Sequence, residues 1–137
     1  MPVEYPVAPP LDWPDPTFAG TAAAQQLAVP HTYLWAVPQQ GTAAVLLARA
    51  IPGEVAEILT LFTRPQNRRQ GHARELLNTL LATAKQNKCP AVFLEVRAAN
   101  AAARKLYAAL DFTEVSRRKG YYKNPTEDAI VLRREIS

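Results

Sequence analysis

Cysteine, histidine, glycine and long apolar runs are all scarce here, and each scarcity excludes something. The 137 residues contain one cysteine and two histidines. A lone Cys89 cannot form an internal disulfide and predicts a reducing, cytoplasmic setting. It stands between Lys88 and Pro90 with no cationic helix start around it, so it reads as a structural thiol and not a nucleophile. Three such widely spaced side chains cannot assemble a metal centre, and no metal is expected. No apolar run approaches the ~18–20 residues of a membrane span, so no membrane partner is expected either. Met1-Pro2-Val3-Glu4-Tyr5 has neither a basic start nor an apolar stretch and is not read as a secretory signal. Only five glycines are present. None forms a Gly-x-x-x-x-Gly-Lys or Gly-x-Gly-x-x-Gly run, which removes two phosphate-binding turns. The net charge of +4 is mild. It suits an anionic ligand without demanding one, and direct nucleic-acid binding is not expected.

What is there centres on residues 57–84. Glu57-Ile58-Leu59-Thr60-Leu61-Phe62-Thr63 reads as a buried strand. A turn, Arg64-Pro65-Gln66-Asn67, leads into Arg68-Arg69-Gln70-Gly71-His72-Ala73. Beyond it Ala73, Leu76, Leu77, Leu80, Leu81 and Ala84 recur at helical spacing. Strand, glycine-bearing basic turn and amphipathic helix together aim backbone N–H groups and a positive helix end at one spot. That suits a phosphate or pyrophosphate. Gly71 admits close approach to the backbone, small Ala73 keeps it open, and Arg68, Arg69 and Arg74 add charge. The same residues also make sense as a solvated basic turn that merely starts a helix.

Six of the twelve prolines fall in residues 1–16, which therefore read as an extended or mobile arm. Asp15 and Pro16 then suit a helix start, with a short helix to about Leu27. Residues 32–37 and 43–49 read as two strands joined around Pro38 to Gly41. After the central helix, Ala91-Val92-Phe93-Leu94-Glu95-Val96 forms the next strand, making a βαβ unit with parallel strands. Glu95 is the odd residue, a carboxylate in an apolar run. It is either put to use or is an edge glutamate facing water or paired with Arg97. Asn100 caps a helix that turns Ala103, Leu106, Tyr107 and Leu110 inward. Residues 112–115 and 129–132 are the last strands, and Arg117 to Asn124 reads as a polar, aromatic loop between them.

Taken together, the chain resembles the GNAT acetyltransferase superfamily, whose pyrophosphate turn is Gln/Arg-x-x-Gly-x-Gly/Ala. Here it stands as Arg68-Arg69-Gln70-Gly71-His72-Ala73. More narrowly it is similar to the RimI family of ribosomal-protein alanine N-acetyltransferases. The carrying residues are Leu94-Glu95-Val96-Arg97-Ala98-Ala99-Asn100-Ala101-Ala102-Ala103 and Leu106-Tyr107 through Phe112. Arg117-Arg118-Lys119-Gly120-Tyr121-Tyr122 and Glu127-Asp128-Ala129 also match.

The resemblance implies an α/β GNAT fold: a mixed central sheet whose two neighbouring parallel strands splay apart. It places an acetyltransferase domain over residues 17–137 behind the 1–16 arm. The family's first strand and most of its first helix find no counterpart and are expected to be missing. Acetyl-CoA is the implied donor, with backbone groups of Leu61, Phe62 and Thr63 bonding the pantetheine as an added strand. Arg68, Arg69, Gln70, Gly71, His72, Ala73 and Arg74 hold the pyrophosphate, and Asn100 contacts the cofactor further along. Glu95 matches the family's general base and Tyr107 its general acid, although a core tyrosine would occupy the same helical position. Tyr121 and Tyr122 are expected to bind the acceptor, unless their segment is a plain surface hairpin. The implied partner is a protein N-terminus, such as that of a small-subunit ribosomal protein, acetylated directly in a ternary complex. Acetylation of lysine or a small amine, or a noncatalytic acyl-CoA-binding module, are the readings left open.

Overall fold

The computed structural model describes residues 2–5, 28–38 and 42–136. Within them lies one seven-stranded sheet of order β1-β2-β3-β4-β5-β7-β6. The strands are β1 Val3–Tyr5, β2 Thr32–Pro38, β3 Thr42–Arg49, β4 Ala56–Thr63, β5 Ala91–Arg97, β6 Thr113–Tyr122 and β7 Glu127–Glu135. The helices are α1 His72–Gln86 and α2 Ala101–Ala109, with a 3-10 turn at Pro65–Asn67 before α1. Neighbours β1 to β4 are antiparallel, β4 and β5 are parallel, and β5, β7 and β6 are antiparallel again.

Alternation along β2 and β3 separates two buried faces. Trp35, Val37, Ala44, Leu46 and Ala48 turn toward a cluster with Leu76, Leu77, Leu80 and Ala84 of α1 and Tyr107 of α2. Leu34, Ala36, Val45 and Leu47 form a second cluster on the opposite face. Period-two burial on both faces is why β3 reads as an unbroken apolar run. Leu80 of α1 is fully buried. Leu80→Ala should cost about 2–5 kcal/mol in a denaturant titration, through lost transfer energy and the cavity left behind.

Two expectations are corrected. The family's first strand is not missing: Val3–Tyr5 pairs antiparallel with β2, Glu4 opposite Trp35. Three residues are too few to show a period, and the flanking Pro2 and Pro6 hide them, yet prolines are tolerated at an edge. The segment from Arg117 to Asn124 is not a loop. It is mostly β6, with Arg117 and Arg118 laddered to Ile130 and Ala129, and only residues 123–126 turn. The exposed middle of β6, Ser116 to Lys119, is polar at every position and carries no alternation for a sequence reading to find. The remainder of the proline-rich arm, the short helix to Leu27 and the 39–41 turn lie outside the described residues.

Candidate active site

The site begins with a bulge. Pairing between β3 and β4 steps from Leu47 opposite Thr60 to Ala48 opposite Ile58, leaving Leu59 as the extra residue. An extra residue bends its strand, increases the local twist and shifts the faces by one. The shift is visible in the packing. Ala56, Ile58 and then Leu61 face the helices, whereas Leu59 and then Phe62 face the opposite cluster. At the same place β4 parts from β5. Their parallel pairing covers only Ala56 with Val92 and Glu57 with Phe93. Past that point the β5-facing edge of β4 stands open.

Strand alternation decides which groups that open edge carries. Arg64 N–H donates to Ala43 C=O at 2.9 Å, so Arg64 and, two residues back, Phe62 turn their backbones toward β3. Leu61 and Thr63 therefore turn theirs toward the opening. Of the three residues expected there, Phe62 presents its side chain to the second cluster and its backbone to β3. Thr63 C=O accepts from Arg68 Nε at 3.3 Å, which ties the end of β4 to the turn.

The turn owes its shape to two left-handed residues, Arg69 with φ 63° and Gly71 with φ 82°. Gly71 is the N-cap of α1, and nothing lies within 4 Å of where a Cβ would stand. The first intrahelical bond runs from Glu75 N–H to Gly71 C=O at 3.0 Å. The amides of Ala73 and Arg74 thus have no acceptor inside the helix. His72 Nε2 meets Gln70 Oε1 at 3.1 Å, which braces the turn from outside. Arg68, Arg69 and Arg74 are all exposed around it. Asn100 is where the sequence places it, at the start of α2, but its Oδ1 accepts from Ala103 N–H at 3.1 Å. The cap uses that oxygen, and the amide nitrogen is the group left to turn outward.

Glu95 and Tyr107 lie on opposite faces of the sheet. Leu94 and Val96 pack with α1 and α2, so Glu95 between them faces the other way, two residues past the last β4–β5 pair. Its partner is Arg118 of β6, with Nη1 to Oε1 at 2.8 Å, and not Arg97, the partner that the edge-glutamate alternative offered. Arg97 bonds Glu127 at 3.2 Å and lies 4.2 Å over the Tyr122 ring. Arg118 lies 4.3 Å over the Tyr121 ring. Tyr121 and Tyr122 therefore join Glu95 on one side of the sheet through two arginines. Val96 lies on the other side, packed with the helices.

Tyr107 is 5% exposed and meets Phe112 edge-on at 5.4 Å. Burial pushes its hydroxyl well above the ordinary tyrosine range. Among the described residues no group hydrogen-bonds that hydroxyl. Glu57 escaped the sequence reading, although a carboxylate in an apolar run was the signal that singled out Glu95. It pairs with Phe93 on the same face as Glu95. Burial raises its pKa, the nearby Arg49 opposes the rise, and Glu95 adds to it. No comparable signal marked Arg118. Among the described residues no cluster of histidine, cysteine or acidic side chains could hold a metal, and no helix is long and apolar enough to cross a membrane.

A parallel pair that opens beyond a bulge, followed by a basic turn capping a helix, is the arrangement expected of a GNAT fold. Residues 4–112 match the acetyltransferase (GNAT) family. The chain belongs to that family. It is 32% identical over 127 residues to the ribosomal protein bS18-alanine N-acetyltransferase of Escherichia coli K12, covering 91% of this chain and 82% of that one. It is 33% identical over 128 residues to the N-alpha-acetyltransferase RimI of Mycobacterium tuberculosis, with 90% and 75% covered. The crystal structure of the ribosomal-protein-S18-alanine N-acetyltransferase from Escherichia coli matches the fold with a TM-score of 0.80. The two are 25% identical over 100% of this chain and 95% of that one. The GNAT chain described here is thus an N-acetyltransferase, and acetyl-CoA is its donor.

Proposed function

We propose that this enzyme acetylates the α-amino group of a protein N-terminus, that of a small-subunit ribosomal protein being the favoured acceptor. The observation that carries the reading is that Glu95 and Tyr107 face opposite sides of the sheet, with Glu95 two residues past the last β4–β5 pair. The names of the relatives support the acceptor class. The reading sets the reaction in the cytoplasm.

The chain's residues suit the donor. Leu61 and Thr63 offer the backbone groups of an open strand edge to the amides of a pantetheine arm, as an added strand would. The turn from Arg68 to Arg74 offers backbone amides, a helix N-terminus and three cations to a pyrophosphate. Gly71 leaves that approach clear.

Direct transfer then needs three things from the protein. Glu95 takes a proton from the acceptor ammonium, directly or through one water, which frees the lone pair that forms the C–N bond; the nitrogen's extra proton then leaves to solvent as the C–S bond breaks. A backbone N–H near the Leu59 bulge meets the charge developing on the acetyl oxygen. Tyr107 supplies a proton to the sulfur as the C–S bond breaks. The desolvation that holds the Tyr107 proton tightly also penalises a thiolate beside it, which keeps donor and acceptor matched. Positioning of two bound substrates supplies much of the rate, and no covalent enzyme intermediate is required. An α-amine, with a pKa of about 7.7–8.0 against about 10.4 for lysine, needs only modest assistance from a carboxylate.

The test uses alanine-starting peptides that carry an internal lysine, with the N-terminus free or blocked. Product mass spectra should place the acetyl group on the free α-amine. Acetylation confined to lysine, or none despite acetyl-CoA binding, sinks the proposal. Glu95→Gln should slow the enzyme most below about pH 8 and recover partly above it, where the α-amine is already neutral. A rate that does not change with this substitution removes Glu95 from the mechanism.

A further inference from the structure

Arg118 is the residue whose geometry is least explained by an ordinary surface ion pair. Its guanidinium meets Glu95 Oε1 at 2.8 Å and stacks on Tyr121 at 4.3 Å. In a regular strand residues three apart point to opposite faces. Arg118 and Tyr121 share a face because the β6–β7 register slips between Arg118 and Tyr122. Gly120 makes the slip with φ 60°, where other residues are strained. Asp128 holds it, accepting from Gly120 N–H at 3.0 Å on one oxygen and facing Arg117 at 3.5 Å on the other. A backbone irregularity, a glycine and a dedicated carboxylate thus bring one cation and one ring together over Glu95. The neighbouring cation Arg97 is already engaged by Glu127 and Tyr122.

We propose that Arg118 is a specificity-determining residue that occupies the acceptor's place on Glu95 and must be displaced by the incoming α-ammonium. The inference rests on Glu95 being the base. Both cations satisfy the same carboxylate, so they compete for it. Arg118 is tethered and competes at a high effective concentration. A bare amine loses that competition. An N-terminus succeeds when its following residues make further contacts nearby, so that its ammonium is also delivered intramolecularly. Displacement does not strand the guanidinium, because the Tyr121 face and solvent still receive it. Arg118 therefore screens acceptors by demanding more than an amine.

The experiment compares wild type with Arg118→Gln and Arg118→Lys, using an alanine-starting hexapeptide and alaninamide as acceptors. Arg118→Gln should lower the hexapeptide KM by about two- to fivefold, the size that a half-exposed ion pair supports. It should narrow the kcat/KM ratio between hexapeptide and alaninamide, with acetyl-CoA affinity unchanged. Arg118→Lys, which restores a tethered cation, should move both quantities back toward wild type. An unchanged or raised KM, or an unchanged ratio, overturns the proposal; a fall in kcat alone would mean that Arg118 merely orients Glu95. Glu95→Gln run in parallel separates the two failures. If it stays active, the base assignment fails. If it is inactive while Arg118→Gln behaves as wild type, only the screening role fails.

Discussion

Tyr107→Phe should lower kcat by about 10²–10⁴-fold while leaving acetyl-CoA affinity nearly intact. The substitution is unusually clean at this position. The ring keeps its edge-on contact with Phe112 and its place in the core beside Leu110. No described group bonds the hydroxyl, so its removal strands no buried partner and should leave stability level or slightly higher. Burial holds the Tyr107 pKa above its usual value. The proton is therefore present throughout the working pH range, and the loss should be similar at each pH in it. Kinetics across that range with matched acetyl-CoA titrations provide the check. A loss under about threefold is too small for a general acid. Tyr107 would then be a packing residue, with water protonating the sulfur.

Gly71→Asp should weaken acetyl-CoA binding by about 10²-fold or more. Space is not the obstacle, since nothing lies within 4 Å of the missing Cβ. The φ of 82° penalises a side chain, but aspartate tolerates the left-handed region better than most. As an N-cap residue it would also receive amides from the first turn of α1. The fold should consequently survive, with a new negative charge where the pyrophosphate is proposed to sit. Two like charges about 5 Å apart at an effective dielectric of about 20 repel by about 3 kcal/mol, which is roughly a hundredfold. Gly71→Ala isolates the backbone part and should do much less. Calorimetry showing an unchanged affinity for the aspartate variant would remove this turn from the cofactor site.

Elements that carry their own period are legible in the amino-acid sequence. The β4–turn–α1–β5 unit, the Asn100 cap and the inward stripe of α2 follow from alternation, helical spacing and capping chemistry. What is not legible depends on pairing between distant segments. The continuation of β6 beyond Val115 hides because nothing covers its polar residues, and β1 because three residues show no pattern. The Glu95 partner is a case in point. Sequence proximity suggests Arg97, two residues away, yet Arg118 arrives from β6 across β7. The Leu59 bulge leaves no mark in composition, although it switches Leu61 and Phe62 between faces. It also falls at the level where β4 parts from β5.

That short β4–β5 contact has a consequence for how the molecule holds together. Two antiparallel halves, β1 to β4 and β5 with β7 and β6, share only two residue pairs of parallel ladder. The rest of the seam is side-chain packing under α1 and α2. A donor lying along the open edge of β4 would act as a strut between the halves. Its binding free energy would then also oppose their separation, since a ligand that binds only the closed form adds to the stability of that form.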